Sequence, residues 1–157
     1  MASTYEKIAT TTLGSATATV TFSSISGAYT DLVLVINGTL TGSAVKYINF
    51  NGVTTSYSCT TLIGSGSAAS SGRYTDPYID VSNSSTNPFV NIIQINNYSN
   101  STTFKTYLAR QGAASTSTEA IVGLWRSTAA ITSLSVNTSS NAFASGSTFT
   151  LYGIKAA

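Results

Sequence analysis

Residues 16–22 read Ala-Thr-Ala-Thr-Val-Thr-Phe and alternate strictly between apolar and hydroxyl-bearing side chains. In an extended chain successive side chains point to opposite faces, so Ala16, Ala18, Val20 and Phe22 share one face and the threonines share the other. This pattern is typical of a half-buried β-strand. Similar segments follow along the chain, separated by clusters of Ser, Asn and Gly, which favour turns.

The composition extends this interpretation to the whole chain. Ser and Thr fill about a third of the 157 residues, and charged residues make up 8%, against about 25% in an average soluble domain. Good helix formers are scarce, and no window shows the apolar spacing of an amphipathic helix with caps. The sequence predicts a single all-β domain over residues 1–157, an antiparallel, jelly-roll-like β-sandwich of about ten short strands.

Some strand and turn predictions are specific enough to test. Residues 5–12 are predicted to form a hairpin with the strand at 16–22. The continuously apolar segment 32–36 predicts a central strand that is covered on both sides or lies at a subunit contact. Asn51-Gly52 predicts a hairpin turn between strands 45–50 and 53–62, because both residues tolerate positive φ.

Two further segments are predicted to lie outside the regular sheets. Residues 64–72 are rich in Gly, Ser and Ala and are interpreted as a mobile or partner-ordered loop. The N-terminus, about residues 1–8, is interpreted as a short arm that contributes to a partner contact. Pro77 to Val81 is predicted as a short strand that either lies at a sheet edge or begins at the proline, because proline cannot donate to a sheet ladder.

Charge and hydropathy exclude several classes of partner. A formal net charge of +2, from seven dispersed basic and five acidic residues, gives no patch for nucleic acid. No stretch approaches the 18 apolar residues of a membrane span, and the N-terminus lacks the features of a signal peptide. The chain is therefore expected to be made in a cytoplasm, with its single cysteine, Cys59, outside any internal disulfide.

The residue types present are unfavourable for catalysis. Histidine is absent, which removes the commonest general base and the commonest transition-metal ligand. The close acidic pair, Asp76 and Asp80, would lie about 13 Å apart on an extended chain, too far for a glycosidase-type carboxylate pair. Calcium binding by these two residues is left open as a minor alternative. The sequence predicts no enzymatic activity, no cofactor and no metal site.

The candidate interface residues come from the aromatic content and the N-terminal arm. Tyrosine carries an apolar body with a polar tip, which suits both half-buried sheet positions and interfaces. Trp125 is interpreted as a core or subunit-contact residue rather than a ligand platform. The candidates for contact with a partner are Tyr5, Ile8, Tyr74, Tyr78, Trp125 and Arg126.

A resemblance to a known family covers nearly the whole chain, from about Tyr5 to Ile154. It is carried by the order of several short strand-and-turn motifs rather than by any one of them. These are Phe22-Ser-Ser-Ile25, Tyr29-Thr-Asp-Leu-Val-Leu34, Phe50-Asn-Gly52, Tyr57 with Leu62 and Gly64-Ser-Gly66, Asn97-Tyr98, Ile121-Val-Gly-Leu-Trp125, Ala130-Ile-Thr-Ser-Leu134 and Gly146-Ser-Thr-Phe-Thr-Leu-Tyr-Gly-Ile154. In this order they resemble a family of small virion proteins of tailed bacteriophages, similar to the capsid cement or decoration proteins of cyanophages.

The resemblance implies a structural role in a phage particle. Proteins of this kind are typically β-rich homotrimers that sit on the outer capsid surface and clamp neighbouring copies of the major capsid protein. It carries over no catalytic residue. A tail, fibre or baseplate component with a receptor- or glycan-binding role remains an alternative, as does a free-standing carbohydrate-binding module that uses Tyr74, Tyr78 and Trp125.

Overall fold

The protein folds into two antiparallel β-sheets packed face to face. The structure, a computed structural model, describes residues 4–75, 79–84, 86–113 and 117–155. The strands are β1 (Tyr5–Thr12), β2 (Thr19–Phe22), β3 (Asp31–Gly38), β4 (Ala44–Phe50), β5 (Tyr57–Gly64), β6 (Ala69–Thr75), β7 (Ile79–Ser84), β8 (Phe89–Asn96), β9 (Lys105–Ala113), β10 (Ser117–Trp125), β11 (Leu134–Thr138) and β12 (Thr148–Ile154). The predicted all-β sandwich is confirmed, with twelve strands in the described ranges rather than about ten.

The connectivity is that of a jelly roll whose large sheet has been widened. The large sheet has eight strands in the order β1-β12-β3-β8-β9-β10-β5-β6, and the small sheet has four in the order β2-β11-β4-β7. The chain alternates between the sheets from β1 to β4 and again through β7, β8, β11 and β12, which is the interleaving of a jelly roll. Two extra hairpins, β5-β6 and β9-β10, extend the large sheet beyond this framework.

The core lies between the two sheets and is built from the alternation seen in the sequence. Val20 and Phe22 of β2 are buried, whereas Thr19 and Thr21 are exposed. Leu32, Leu34 and Ile36 of β3 are fully buried beneath the small sheet. An aromatic group formed by Phe50, Tyr57 and Trp125 continues the core towards the added hairpins.

The predicted pairing of residues 5–12 is wrong. β1 pairs with β12 at the edge of the large sheet, and β2 lies in the small sheet beside β11. The short connection between β1 and β2 therefore crosses from one sheet to the other instead of closing a hairpin. The predicted N-terminal arm also ends earlier than expected, because Tyr5–Ile8 belong to β1, and residues 1–3 lie outside the described residues.

The segment 64–72 was expected to be a loop, and most of it is not. Residues 65–68 form a tight turn, closed by a hydrogen bond from Ser65 N to Ala68 O (3.0 Å), and β6 begins at Ala69. β6 is an edge strand whose side chains are almost all exposed, so backbone pairing with β5 holds it rather than apolar burial. Small polar residues without alternation gave no sequence signal for such a strand.

Asn51-Gly52 forms a turn as predicted, but the turn does not close a hairpin. Both residues have positive φ, 53° and 69°, and the turn carries the chain from β4 in the small sheet towards β5 in the large sheet. The Asn51 side chain fixes this crossing. Its Oδ1 accepts hydrogen bonds from Thr132 N (2.9 Å) and Ser133 N (3.1 Å), and its Nδ2 donates to Ala130 O (2.8 Å).

Two substitutions of Asn51 separate the contribution of its side-chain hydrogen bonds from that of its positive φ. Asn51→Ala is expected to lower the free energy of unfolding by about 2–3 kcal/mol, because it removes the side-chain bonds and places a Cβ at positive φ. Asn51→Gly loses the same bonds without the backbone penalty, so its loss should be about 1 kcal/mol smaller. Urea unfolding followed by Trp125 fluorescence measures both, and equal losses would show that the backbone conformation contributes nothing.

Candidate functional site

The most distinctive surface of the molecule is the side of the eight-stranded sheet that faces away from the small sheet. We call this surface the outer face. Strand alternation defines it: in β10, for example, Ile121 and Trp125 point into the core, whereas Val122 and Leu124 lie on the outer face. Because every strand pairs antiparallel with its neighbour, outer-face residues align in rows across the sheet.

The outer face carries an exposed apolar patch on β9, β10 and β5, towards the β6 edge of the sheet. Leu108 of β9 lies directly opposite Val122 of β10, and Leu62 of β5 is the diagonal neighbour of Val122. Leu62 and Val122 are each 58% exposed, and Leu108 is 38% exposed. We refer to these three residues as the apolar patch. Clustered exposed apolar side chains are uncommon on soluble domains and mark interaction surfaces.

The patch continues towards β3 with residues that are more deeply buried. Val33 is 7% exposed although it faces outward, because Tyr152 and Gln94 flank it on the neighbouring strands. Val35 and Ile92 form the next outward pair and are half-buried. The continuously apolar segment 32–36 was expected to be covered on both sides or to lie at a subunit contact. In the chain described here, β3 is covered by the small sheet on one side and by neighbouring side chains on the other.

Two arginines lie beside the patch, and a lysine lies farther away on the same face. Arg110 of β9 lies opposite Ala120 and diagonal to Val122, and Arg73 of β6 lies opposite Thr60 and diagonal to Leu62. Lys7 of β1 occupies the same face at the far edge of the sheet. All three side chains are exposed, and no ion pair to them is found among the described residues.

The acidic residues are oriented differently. Glu6 lies on the opposite side of β1 from Lys7, and Glu119 is buried on the inner side of β10, where Ser117 Oγ donates to it (3.1 Å). Asp31 lies at one end of the outer face, where its Oδ1 accepts a hydrogen bond from Asn97 N (2.7 Å). Among the side chains that the structure describes, the outer face therefore carries more positive than negative charge.

Arg126 anchors the end of the face near β5. Its Nη1 donates to Ser58 Oγ (2.9 Å) and its Nη2 donates to Tyr57 O (3.1 Å). Ser58 belongs to the outer face, whereas Tyr57 points into the core. The sequence-based candidate Arg126 is thus exposed and held by two hydrogen bonds beside the outer face.

The β1 edge holds the candidates Tyr5 and Ile8. Tyr5 is exposed on the outer face and packs edge-to-face on Tyr152, with ring centroids 6.4 Å apart. Ile8 sits where the β1–β12 register shifts, and it packs partly buried against the core. Tyr5 is therefore available to a partner, whereas Ile8 mainly fixes the edge strand.

An ion pair lies on the other side of the same edge. Lys155 Nζ lies 2.9 Å from Glu6 Oε2. The hydrogen bond from Lys155 lowers the pKa of Glu6, and the same bond raises the pKa of Lys155. Tyr29 packs nearby, and burial followed by its hydrogen bond with Glu6 raises its pKa. Both charged groups are exposed, so the pair fixes the position of the edge rather than adding much stability.

The remaining aromatic candidates do not form a platform. Trp125 is 2% exposed and stacks on Tyr57 in the core, with ring centroids 6.0 Å apart, so it is not available to a ligand. Tyr74 is exposed on β6, but it points to the inner side of the sheet, beside Cys59. Tyr78 lies outside the described residues. The burial of Trp125 fits its interpretation as a core residue, because its position in β10 points to the inner side of the sheet.

Two lysines are buried inside the sandwich. Lys46 Nζ donates to Gln111 Oε1 (2.6 Å) and lies 3.8 Å from the centre of the Phe89 ring. Lys105 Nζ donates to the backbone oxygens of Thr103 (2.8 Å) and Thr128 (3.2 Å), and burial lowers its pKa. Both ammonium groups are used internally, so these residues are unavailable to a partner.

The described residues offer no arrangement for metal binding. Within the ranges given above, no group of three or more His, Cys, Asp or Glu side chains could hold a metal ion. Asp76 lies outside these ranges, as does the side chain of Asp80. None of the described segments forms a helix with the length and hydrophobicity needed to cross a bilayer.

The outer side of the small sheet differs from the outer face in chemistry. Thr19 Oγ1 donates to Asn137 Oδ1 (3.0 Å), and Asn137 Nδ2 donates to Asn49 Oδ1 (3.2 Å). These hydrogen bonds link the three side chains in a line across β2, β11 and β4. The two outward surfaces of the sandwich are therefore unequal, and the apolar and basic one belongs to the large sheet.

Most of the residues on the outer face were not singled out from the sequence. A signal was present, because the segment Ala120-Ile-Val-Gly-Leu-Trp125 is apolar at both alternating positions, which places apolar side chains on both sides of one strand. The positions of Arg73 and Arg110 beside it depend on pairing between strands far apart in sequence, and no local pattern indicates that.

Comparisons with known proteins leave the chain without an assigned family. Neither a protein-family model nor a curated protein matches the sequence. Among solved structures, the chain is similar to an alginate lyase mutant in complex with an alginate tetrasaccharide, at 9% identity and a TM-score of 0.31, over 94% of this chain and 80% of that one. A likeness at this level carries no argument about function.

Proposed function

We propose that this chain is a structural protein of a tailed-phage particle, a capsid decoration protein that binds the assembled lattice of the major capsid protein. In this proposal it is made in the host cytoplasm and acts on the outer capsid surface as a homotrimer. The observation that carries the proposal is the broad, exposed outer face of the large sheet. The sequence resemblance, which runs from about Tyr5 to Ile154, supports the type of particle.

The chemistry of the chain favours binding over catalysis. Histidine is absent from the sequence, and the three acidic side chains described are spread over separate places. Glu6 is paired with Lys155, Glu119 is buried, and Asp31 accepts a hydrogen bond from Asn97 N. No two of them face each other as an acid and a base would, so we propose no reaction for this chain.

The shape of the face suits a macromolecular partner. Across the eight strands, seven inter-strand spacings make the face about 34 Å wide, and three two-residue steps along a strand make it about 20 Å long. Its area is therefore about 700 Å². This approaches the roughly 800 Å² that each partner contributes to a standard protein interface. An open face of this size can cover a joint between protein subunits.

Such binding would stabilise a shell by mass action. A protein that binds the assembled lattice and not the free subunits shifts the equilibrium towards assembly. A homotrimer would present three copies of the face, and simultaneous contacts raise the overall affinity without any new contact type.

The proposal is tested by returning the purified chain to particles that lack it. We expect hundreds of copies per particle on the shell, counted by gel densitometry and located by electron microscopy, and a higher temperature of capsid disruption. A few copies confined to the tail would instead support a tail, fibre or baseplate role. Particles that take up none of the chain would overturn the proposal of a virion protein.

A further inference from the structure

We propose that the outer face docks onto a protein surface that presents carboxylates around exposed apolar side chains. The apolar patch of Leu62, Leu108 and Val122 supplies the centre of the contact, and Arg73 and Arg110 supply charge beside it. The inference rests on the proposed function in that it takes the partner to belong to the particle. Its chemistry is tested below with a probe that is independent of any phage.

Charge complementarity decides the class of partner. Arg73, Arg110 and Lys7 are exposed on one face and have no ion-pair partner among the described residues, and Arg126 is exposed at the end of the same face. Among the described side chains of the outer face, the only acidic one is Asp31, which lies at one end on β3. Carboxylates of a partner would pair with these guanidinium groups, and arginine forms two parallel hydrogen bonds with a carboxylate.

The same charges argue against a second copy of this chain as the occupant. A face-to-face dimer would bring two sets of unpaired cations together, with few acidic groups between them. Like charges brought together across an interface cost several kcal/mol. A trimer of this chain would therefore use other surfaces and leave the outer face available.

The arrangement resembles the anatomy of a protein interface. An apolar centre surrounded by arginine and hydroxyl-bearing residues matches the usual apolar core and polar rim, in which arginine is enriched. Leu62 and Val122 are mostly exposed in the free chain, so a partner that covers them removes apolar surface from water. The apolar patch is expected to slow dissociation, and the arginines are expected to speed association.

A groove extends the face at one end and increases the surface available for contact. It has a volume of about 1080 Å³ and lies where β3, β5, β8, β9 and β10 end or begin. Val90 and Phe89 contribute its apolar wall, and Gly64 and Gly112 leave room above the sheet. A protruding side chain of the partner would fit this groove while the rest of its surface covers the apolar patch.

The charge arm of the test uses two double variants of equal net charge. Arg73→Gln/Arg110→Gln removes both guanidinium groups, and Thr21→Glu/Thr54→Glu adds two acidic groups at exposed positions in β2 and in the β4–β5 connection. Each lowers the formal net charge from +2 to 0. All four side chains are exposed, so both variants should fold, and circular dichroism checks this.

The first probe is a surface coated with a random copolymer of glutamate and tyrosine, compared with one of lysine and tyrosine. The wild-type chain should bind the glutamate copolymer alone. Arg73→Gln/Arg110→Gln should bind at least about tenfold more weakly than Thr21→Glu/Thr54→Glu, and the difference should shrink with added salt. Equal affinities of the two variants would overturn the inference, since net charge and not the outer face would then decide binding.

The contribution of the apolar patch is tested with Leu62→Thr/Val122→Thr, and Val45→Thr on the small sheet is the control. Threonine is already common on the outer face and keeps the strand preference, so folding should be unaffected. We expect about tenfold faster dissociation of the double variant from the copolymer, with little change on adding salt, and wild-type behaviour of the control. Unchanged dissociation of the double variant would show that the apolar patch does not contribute to docking.

The second probe separates this inference from the proposed function. Particles lacking the chain should bind the wild type and Thr21→Glu/Thr54→Glu, but not Arg73→Gln/Arg110→Gln. If no particle binds while the copolymer result holds, the proposed function is wrong and the docking chemistry stands. Equal binding of both variants to particles overturns the docking surface, and so does preferential binding of the wild type to phosphatidylserine vesicles over the copolymer.

Discussion

Trp125→Ala is expected to lower the free energy of unfolding by about 3–5 kcal/mol, the range for truncating a buried aromatic side chain. Trp125 is 2% exposed and packs against both Phe50 and Tyr57, at ring-centroid distances of 5.6 Å and 6.0 Å. Its removal leaves a cavity where the added hairpins join the jelly-roll framework. Since small domains are stable by about 5–15 kcal/mol, the variant should unfold at a much lower urea concentration.

Trp125→Phe is the matched control for this variant. It keeps an aromatic ring against Tyr57 and removes the indole Nε1, which is buried and has no hydrogen-bond partner among the described residues. Its loss should be clearly smaller, about 1–2 kcal/mol, because an unsatisfied donor disappears together with part of the ring. Urea unfolding followed by far-ultraviolet circular dichroism measures both variants. Losses below 1 kcal/mol for Trp125→Ala would contradict the burial of this side chain.

The Trp125→Phe variant also tests whether Trp125 takes part in binding. Because Trp125 points into the core, folded Trp125→Phe should bind the probes of the outer face like the wild type. Reduced binding with an intact fold would restore Trp125 as an interface residue, as the sequence alone suggested.

Gly123→Ala is expected to lower the free energy of unfolding by about 2–4 kcal/mol. Gly123 lies opposite Tyr107 in the β9–β10 ladder, and the Tyr107 ring covers it so closely that an added Cβ would overlap the ring atoms. Tyr107 is itself 1% exposed, so its ring has little space to move into. Overpacking of a dense core costs about 1–3 kcal/mol and more where the neighbour cannot shift.

Gly112→Ala in the neighbouring strand is the control, because a Cβ there would meet no atom within 4 Å and its φ is not positive. It should change stability by less than about 0.5 kcal/mol, or raise it slightly, since alanine restricts the unfolded chain. A double-mutant cycle completes the test: Gly123→Ala should cost less in a Tyr107→Leu background, where the ring is gone. Equal costs in both backgrounds would mean that the Tyr107 ring is not the obstacle.

Much of the fold could be predicted from the sequence, because the alternation of side chains along a strand depends on residues that are close together in the chain. The alternation at 16–22 predicted the burial of Val20 and Phe22, but Ala16 and Ala18 of the same face are exposed and β2 begins only at Thr19. Asn51-Gly52 adopts the left-handed conformation that its residue types favour. β6 was missed because nothing apolar marks it, and its backbone pairs with β5 at the sheet edge. β1 was given the wrong partner because its true neighbour, β12, is the last strand of the chain.

The candidate site was harder to predict from the sequence, because it depends on pairing between strands that are distant along the chain. Tyr5 and Arg126 were candidates from the sequence, and they lie on or beside the outer face. Trp125 was also a candidate, but it lies in the core. Leu62, Leu108 and Val122 become neighbours through the order β9-β10-β5, which joins segments distant along the chain. Residue types were readable from the sequence, but their grouping on one surface was not.

By itself, the sequence determined the all-β class, the absence of histidine chemistry and the alternation that buries one side of strands such as β2 and β8, since these depend on residue types and neighbours along the chain. The tertiary structure decided which strands pair, which side of the wide sheet is left uncovered, and that Arg73 and Arg110 flank one apolar patch. The physical reason is that strand pairing is set by packing between distant segments. A four-stranded sheet can cover only one side of an eight-stranded one.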